Sequence, residues 1–159
     1  MGKLWAAALA AFGIDQLSKV LVVHLLNLKE VLVMPVAPPF LVFRMGWNEG
    51  INFGLLSGAG AKWVLIALAV AICAALIWWA RSFTRPLALV SAGLVIGGAL
   101  ANVLDRLLYG AVADFLNMSC CGIDNPFAFN LADVFIFAGA AGLVLWSEDR
   151  KGDAGTETG

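Results

Sequence analysis

Two aspartates, Asp114 and Asp133, have no local counter-charge and flank the last apolar segment of a chain that is otherwise suited to lipid. An ionised carboxylate in hydrocarbon is expensive, so acids in such places mark function by default. Asp133 sits about one turn into that segment, and Asn130, three residues earlier, is placed to orient it. Asp114 follows the preceding apolar segment, and the 18 residues between the two acids can fold back to let them meet. If they meet, like charges at close range do not both ionise and the pair shares one proton. That is aspartic-protease chemistry. The ionised member takes a proton from water as the water attacks a peptide carbonyl, while the protonated member polarises that carbonyl and helps the amine leave. No metal or cofactor is required. On spacing alone, a structural acid pair or an ion pathway explains these residues as well.

The other polar residues have simpler readings. Asp15 and Lys19 are four apart, share a helical face and neutralise one another. Asp105 is followed by Arg106, a cation near enough to hold its carboxylate ionised, so Asp105 reads as a positioning group and not a base. Asp124 lies in the turn signature Gly-Ile-Asp-Asn-Pro, and Glu30 and Glu49 lie in an outer loop. His24, the single histidine, is near the end of the first apolar segment, where an interfacial or packed role is expected. Of the three cysteines, Cys73 reads as helix packing, and the adjacent Cys120 and Cys121 read as small residues in a turn.

The elements that must position these residues are membrane helices. The 159-residue chain is 62% hydrophobic and 13% charged, with a mean hydropathy of +0.90, outside the range of soluble domains. One domain, residues 1–159, is expected. The net charge of -1, with no Lys/Arg run, argues against a nucleic-acid partner. Four segments have about the length needed to span a bilayer: roughly 4–26, 62–80, 86–107 and 129–146. The fold class is therefore an all-α integral membrane protein of four transmembrane helices. Gly93, Gly97 and Gly98 form a small-residue stripe in the third span, read as close packing with a substrate groove as the alternative. Lys3, Arg81, Arg85, Arg150 and Lys151 place both termini and the second-to-third connection in the cytoplasm. The segments 27–61 and 108–128 then face outward, with the suspect acids beside them. The first is rich in aromatics, glycine and proline and predicts short strands and turns against the membrane surface. The tail 147–159 is polar and predicts disorder.

Four stretches carry a resemblance. They are Asp15-Gln16-Leu17-Ser18-Lys19, Asn48-Glu49-Gly50-Ile51-Asn52-Phe53-Gly54, Gly97-Gly98-Ala99-Leu100-Ala101-Asn102-Val103-Leu104-Asp105-Arg106 with its continuation Val112-Ala113-Asp114-Phe115, and Phe129-Asn130-Leu131-Ala132-Asp133. In this order they resemble the motifs of the lipoprotein signal peptidase family, also called signal peptidase II. Ala101 departs from the glycine usual at its place, and Asn52 stands where a small residue is common. The resemblance implies an aspartyl endopeptidase of the bacterial inner membrane that removes signal peptides from diacylglyceryl-modified prolipoproteins, cutting before the lipidated cysteine. It implies Asp114 and Asp133 as the catalytic dyad, and Asp15, Lys19, Asn48, Asn102, Asp105, Arg106 and Asn130 as residues that line or brace the site. It also implies an extracytoplasmic β-cradle and a short surface helix, and it requires no cofactor. Prolipoprotein and membrane lipid are the expected partners, and a monomer is the expected state. The alternative is a small ion-coupled transporter using its intramembrane Asp and Lys residues, although the chain has no paired half-repeats.

Overall fold

The computed structural model describes residues 1–50, 60–122 and 125–147. Asn52, Asp124 and the tail from 148 onward lie outside the described residues.

The molecule is apolar outward and polar inward. Leu9, Leu17, Phe137 and Val144 are 70–82% exposed, whereas Asp15, Asp105 and Asn130 are fully buried. In water that arrangement would be unstable, but in a bilayer the exposed leucines meet lipid and polar groups partner one another inside. Helix α1 (Gly2–Lys19) continues through a π-helical turn, Val20–Leu25. A four-residue helix, α2 (Leu28–Val31), leads into strands β1 (Val33–Ala37) and β2 (Leu41–Asn48). Helices α3 (Ala61–Ala80) and α4 (Pro86–Tyr109) follow, then strand β3 (Val112–Asn117) and helix α5 (Leu131–Trp146).

Helix α4 is the centre, packed on α1, α3 and α5. Its glycines make that possible. A Cβ on Gly93 or Gly97 would collide with the α1 backbone at Leu4 and Ala8, and one on Gly98 would lie 2.6 Å from the carbonyl oxygen of Ala132 at the start of α5. The stripe is therefore packing on both sides, and the groove alternative fails because α1 and α5 fill it. Close approach at Gly98 brings the first turn of α5 against the α4 segment that carries Asn102 and Asp105.

Among the described residues, three stretches are long and apolar enough to cross a membrane: Gly2–Leu25, Ala61–Ala80 and Pro86–Tyr109. Helix α5 has 16 residues, about 24 Å of rise against a hydrocarbon core of about 30 Å. It starts two residues later than the expected 129, because Phe129 is bonded to Leu116 and Asn130 is the helix cap.

The outer loop forms the strands expected of it, joined by one that was not expected. The sheet order is β1-β2-β3, antiparallel throughout. Residues 112–117 read as loop because the strand's partner, β2, lies more than 60 residues upstream. Gly110, at φ +82°, takes the left-handed conformation that ends α4 and turns the chain into β3. The sheet packs through Ala113 and Phe115 on Val22, Val23 and Leu28, and Phe43 meets Phe115 edge-on. Asp114 thus sits on a strand clamped to the end of the first helix.

Candidate active site

Two polar groups occupy the junction of α1, α4, α5 and β3. The first is ionic. Lys19 Nζ lies 2.7 Å from an oxygen of Asp15 and 2.7 Å from an oxygen of Asp105. The expected Asp15–Lys19 pair is present, but Asp105 is held by Lys19 across the helix interface and not by Arg106, whose place next in sequence turns it to another face of α4. Gln16 Nε2 donates to Asp105 (3.0 Å), to Asp15 (3.3 Å) and to the carbonyl of Ala101 (3.3 Å). Both carboxylates also accept backbone N–H groups, Asp105 through the oxygen that pairs with Lys19. Asp15 Oδ1 accepts the backbone N–H of Ala132 at 2.8 Å, and Asp105 Oδ2 accepts that of Ala113 at 3.1 Å. Each anchored residue immediately precedes one of the two suspect aspartates.

The second group is built on amides. Asp114 accepts from Asn130 Nδ2 (2.7 Å) and Asn48 Nδ2 (3.2 Å), and Asp133 accepts from Asn102 Nδ2 (3.1 Å). Asn130 Nδ2 also reaches Asn102 Oδ1 at 3.3 Å, and Lys19 Nζ reaches the same oxygen at 3.4 Å, which joins the two groups. Asn130 and Asp133 form a capping box: Asn130 Oδ1 accepts from the N–H of Asp133 (3.0 Å) and Asp133 Oδ2 accepts from the N–H of Asn130 (3.3 Å). Asn130 therefore orients Asp133 as the helix cap, not as a neighbour on a helical face. Arg106 donates from Nη1 to the carbonyl of Asn102 at 3.3 Å, and its buried Nε has no partner among the described residues.

The electrostatics of the groups differ. Neither Asp114 nor Asp133 has an ion pair among the described residues. Burial, then the charge of Asp133, push the Asp114 carboxyl from 3.8 up to about 7 against the opposing bonds from Asn48 and Asn130. Asp114 is 5% exposed, whereas Asp133 is half-buried. A cavity of about 160 Å³ opens at Asp114, lined also by Gly46, Trp47, Asn48 and the segment 126–128.

All nine residues singled out in the sequence enter this linked network. His24 does not: it pairs with Tyr109 OH at 3.2 Å, and the Trp47 ring is tilted against Tyr109 with centroids 5.5 Å apart. Cys73 is buried in the helical core, and Cys120 and Cys121 are exposed thiols.

The pattern of the signal peptidase (SPase) II family matches residues 7–148. The chain belongs to that family. It is 42% identical to a lipoprotein signal peptidase of Rhodopseudomonas palustris over 144 residues, covering 87% of each chain. It is 44% identical to that of Aeromonas hydrophila over 156 residues, covering 94% of this chain and 91% of the relative. A solved structure described as a bacterial membrane enzyme superposes with a TM-score of 0.79 at 25% identity, covering 99% of this chain and 96% of the other. This signal peptidase II is thus an aspartic peptidase and a membrane-integral bacterial protein, and the ion-coupled carrier is set aside.

Sequence reasoning passed over Gln16 in this peptidase. The signal was present, since an amide deep in an apolar helix beside Asp15 needs a buried partner. The N–H groups of Ala113 and Ala132 left no such signal, because every residue but proline carries one.

Proposed function

We propose that the peptidase removes signal peptides from diacylglyceryl-modified prolipoproteins, hydrolysing the bond before the lipidated cysteine, with Asp114 and Asp133 as its catalytic pair. The observation that carries this reading is the Asn48–Asp114–Asn130–Asn102–Asp133 chain of hydrogen bonds, which links two acids through neutral amides with no cation bonded to either among the described residues.

Asp114, raised to about 7, is the member that holds the proton at neutral pH, and the half-buried Asp133 is the base. Water enters beside Asp133 and gives it a proton as the oxygen bonds to the scissile carbonyl carbon. Asp114 hydrogen-bonds the carbonyl oxygen as negative charge develops there. Collapse of the tetrahedral intermediate breaks the C–N bond, and the amine of the cysteine takes a proton from the pair. Asn102, Asn48 and Asn130 hold the two carboxylates in place. Asp15, Lys19 and Asp105 brace the backbone behind them, and Arg106 braces α4 through its bond to the carbonyl of Asn102.

The chain functions as one domain and a monomer, with α5 as a fourth span completed by its flanking residues. The distribution of Lys3, Arg81, Arg85, Arg150 and Lys151 supports cytoplasmic termini in the inner membrane. The sheet then lies at the outer face as a cradle, with α2 beside it on the membrane surface. A signal peptide is itself an apolar helix, so it and the acyl chains enter sideways from the bilayer and meet the pair at that interface.

Purified full-length protein should cleave a diacylglyceryl prolipoprotein in the presence of chelator and leave the unlipidated precursor intact. Asp114→Asn and Asp133→Asn, each verified as folded by thermal melting, should lose cleavage. Retained cleavage in either variant removes the pair from the mechanism.

A further inference from the structure

A second cavity, about 400 Å³, lies beside the first. It is lined by Val42, Arg44, Asn117, Ser119, Asn125 and Pro126. Pro126 also lines the cavity at Asp114, and both cavities follow β2, one at Gly46–Asn48 and the other at Val42 and Arg44. Meeting at Pro126, they outline a path from Asp114 along the sheet. Its walls are fixed. Asn117 Nδ2 donates to the carbonyls of Asn125 and Phe127, both at 2.7 Å, and Ser119 Oγ accepts from the N–H of Asn125 at 3.0 Å. Arg44 is exposed and has no acidic partner among the described residues, so the path carries an uncompensated positive charge.

We propose that this path is a binding subsite for the mature part of the substrate, and that Arg44 selects an acidic side chain just beyond the cleaved bond. The inference rests on the function proposed above. The signal-peptide side of the substrate is an apolar helix and belongs among the spans, so the polypeptide that lies over the sheet is the hydrophilic chain after the lipidated cysteine. Asp114 pairs with Gly46, and Arg44 is two residues further along β2, within the register shift between Phe43 and Gly46 and so at most about 7 Å away along the strand. An extended peptide advances about 3.3 Å per residue. With the reach of an arginine side chain, the guanidinium meets the second to fourth residue of the mature chain.

The test uses synthetic diacylglyceryl prolipopeptides with Asp, Ser or Lys at each of those three positions, cleaved by full-length protein in vesicles of zwitterionic lipid. At one position the unaltered protein should prefer Asp over Lys by about three- to ten-fold in kcat/KM at low salt, the range of a partly solvated charge pair plus its repulsive counterpart. Arg44→Gln should flatten the preference and Arg44→Glu should reverse it toward Lys. Because the readout is a ratio within each enzyme, a general loss of activity does not imitate it. An Asp/Lys ratio that Arg44→Glu leaves unchanged at all three positions overturns the subsite. So does a uniform drop on every peptide that follows the anionic lipid content of the vesicles, because Arg44 then meets headgroups instead. Failure of the unaltered protein to cleave any peptide is a different result and counts against the proposed function itself.

Discussion

Four aspartates sit in one junction, yet two are bonded to a cation and the other two are held by amides alone. Lys19 lies 2.7 Å from both Asp15 and Asp105, whereas Asp114 and Asp133 take their side-chain hydrogen bonds from Asn48, Asn130 and Asn102. An ammonium group compensates the charge of the carboxylates it bridges, and these also accept the backbone N–H groups of Ala113 and Ala132. Amides hold geometry without supplying charge, so one carboxyl of the second pair keeps its proton near neutral pH. The ionic group is therefore a clamp on Ala113 and Ala132, and the amide-held group it positions is the one proposed to react.

The contrast breaks most completely when either reactive acid is changed. Asp114→Asn or Asp133→Asn should lower kcat by about 10³-fold or more, within the range for losing a positioned proton donor or acceptor. Stability should respond in the opposite sense at Asp114. Its folded-state value lies above 3.8, so its contribution to stability is fully present below the ordinary value and is lost as pH rises through about 7. Asp114→Asn removes that loss, and melting curves above pH 7 should show a Tm no lower than that of the unaltered protein.

Lys19→Met attacks the clamp. It leaves Asp15 and Asp105 buried together without a cation, a change of about 3–5 kcal/mol for a broken buried pair, and the Tm should fall steeply. Asp114→Asn should therefore be folded and inert, whereas Lys19→Met should lose activity with folding. Asn130→Ala affects both acids at once, removing a cap worth about 1 kcal/mol and the shortest bond to Asp114. Cleavage should fall by about 10- to 100-fold with a modest Tm decrease. Asn48→Ala is the mildest. It deletes a bond that favours the Asp114 carboxylate, so the basic limb of the pH–activity profile should move upward from about 7 while kcat changes by less than about tenfold.

The legibility of these residues in the sequence follows from how local their partners are. Asp15 and Lys19 are one helical turn apart, and their pairing is read directly from spacing. The Asn130–Asp133 capping box is equally local, although its form as a cap shows only once α5 is seen to begin at Leu131. Asp105 was matched to the adjacent Arg106 because sequence offers only near neighbours. Its true partner is 86 residues away on α1, reached because Gly93 and Gly97 let that helix approach. Strand β3 was hidden for the same reason: its hydrogen bonds go to β2, and nothing in Val112–Asn117 names that partner. The motifs supplied residues that meet in this junction, and only the packed helices disclose which acids the Lys19 cation serves.

The shared proton is the centre of this account, and infrared titration of carboxyl groups in the membrane-embedded protein measures it directly. The unaltered protein should release one carboxyl proton near pH 7, a release absent in Asp114→Asn and moved to lower pH in Asp133→Asn, where the like charge is gone. A release that persists in Asp114→Asn, or one that Asp133→Asn leaves in place, would contradict a proton shared between the two acids.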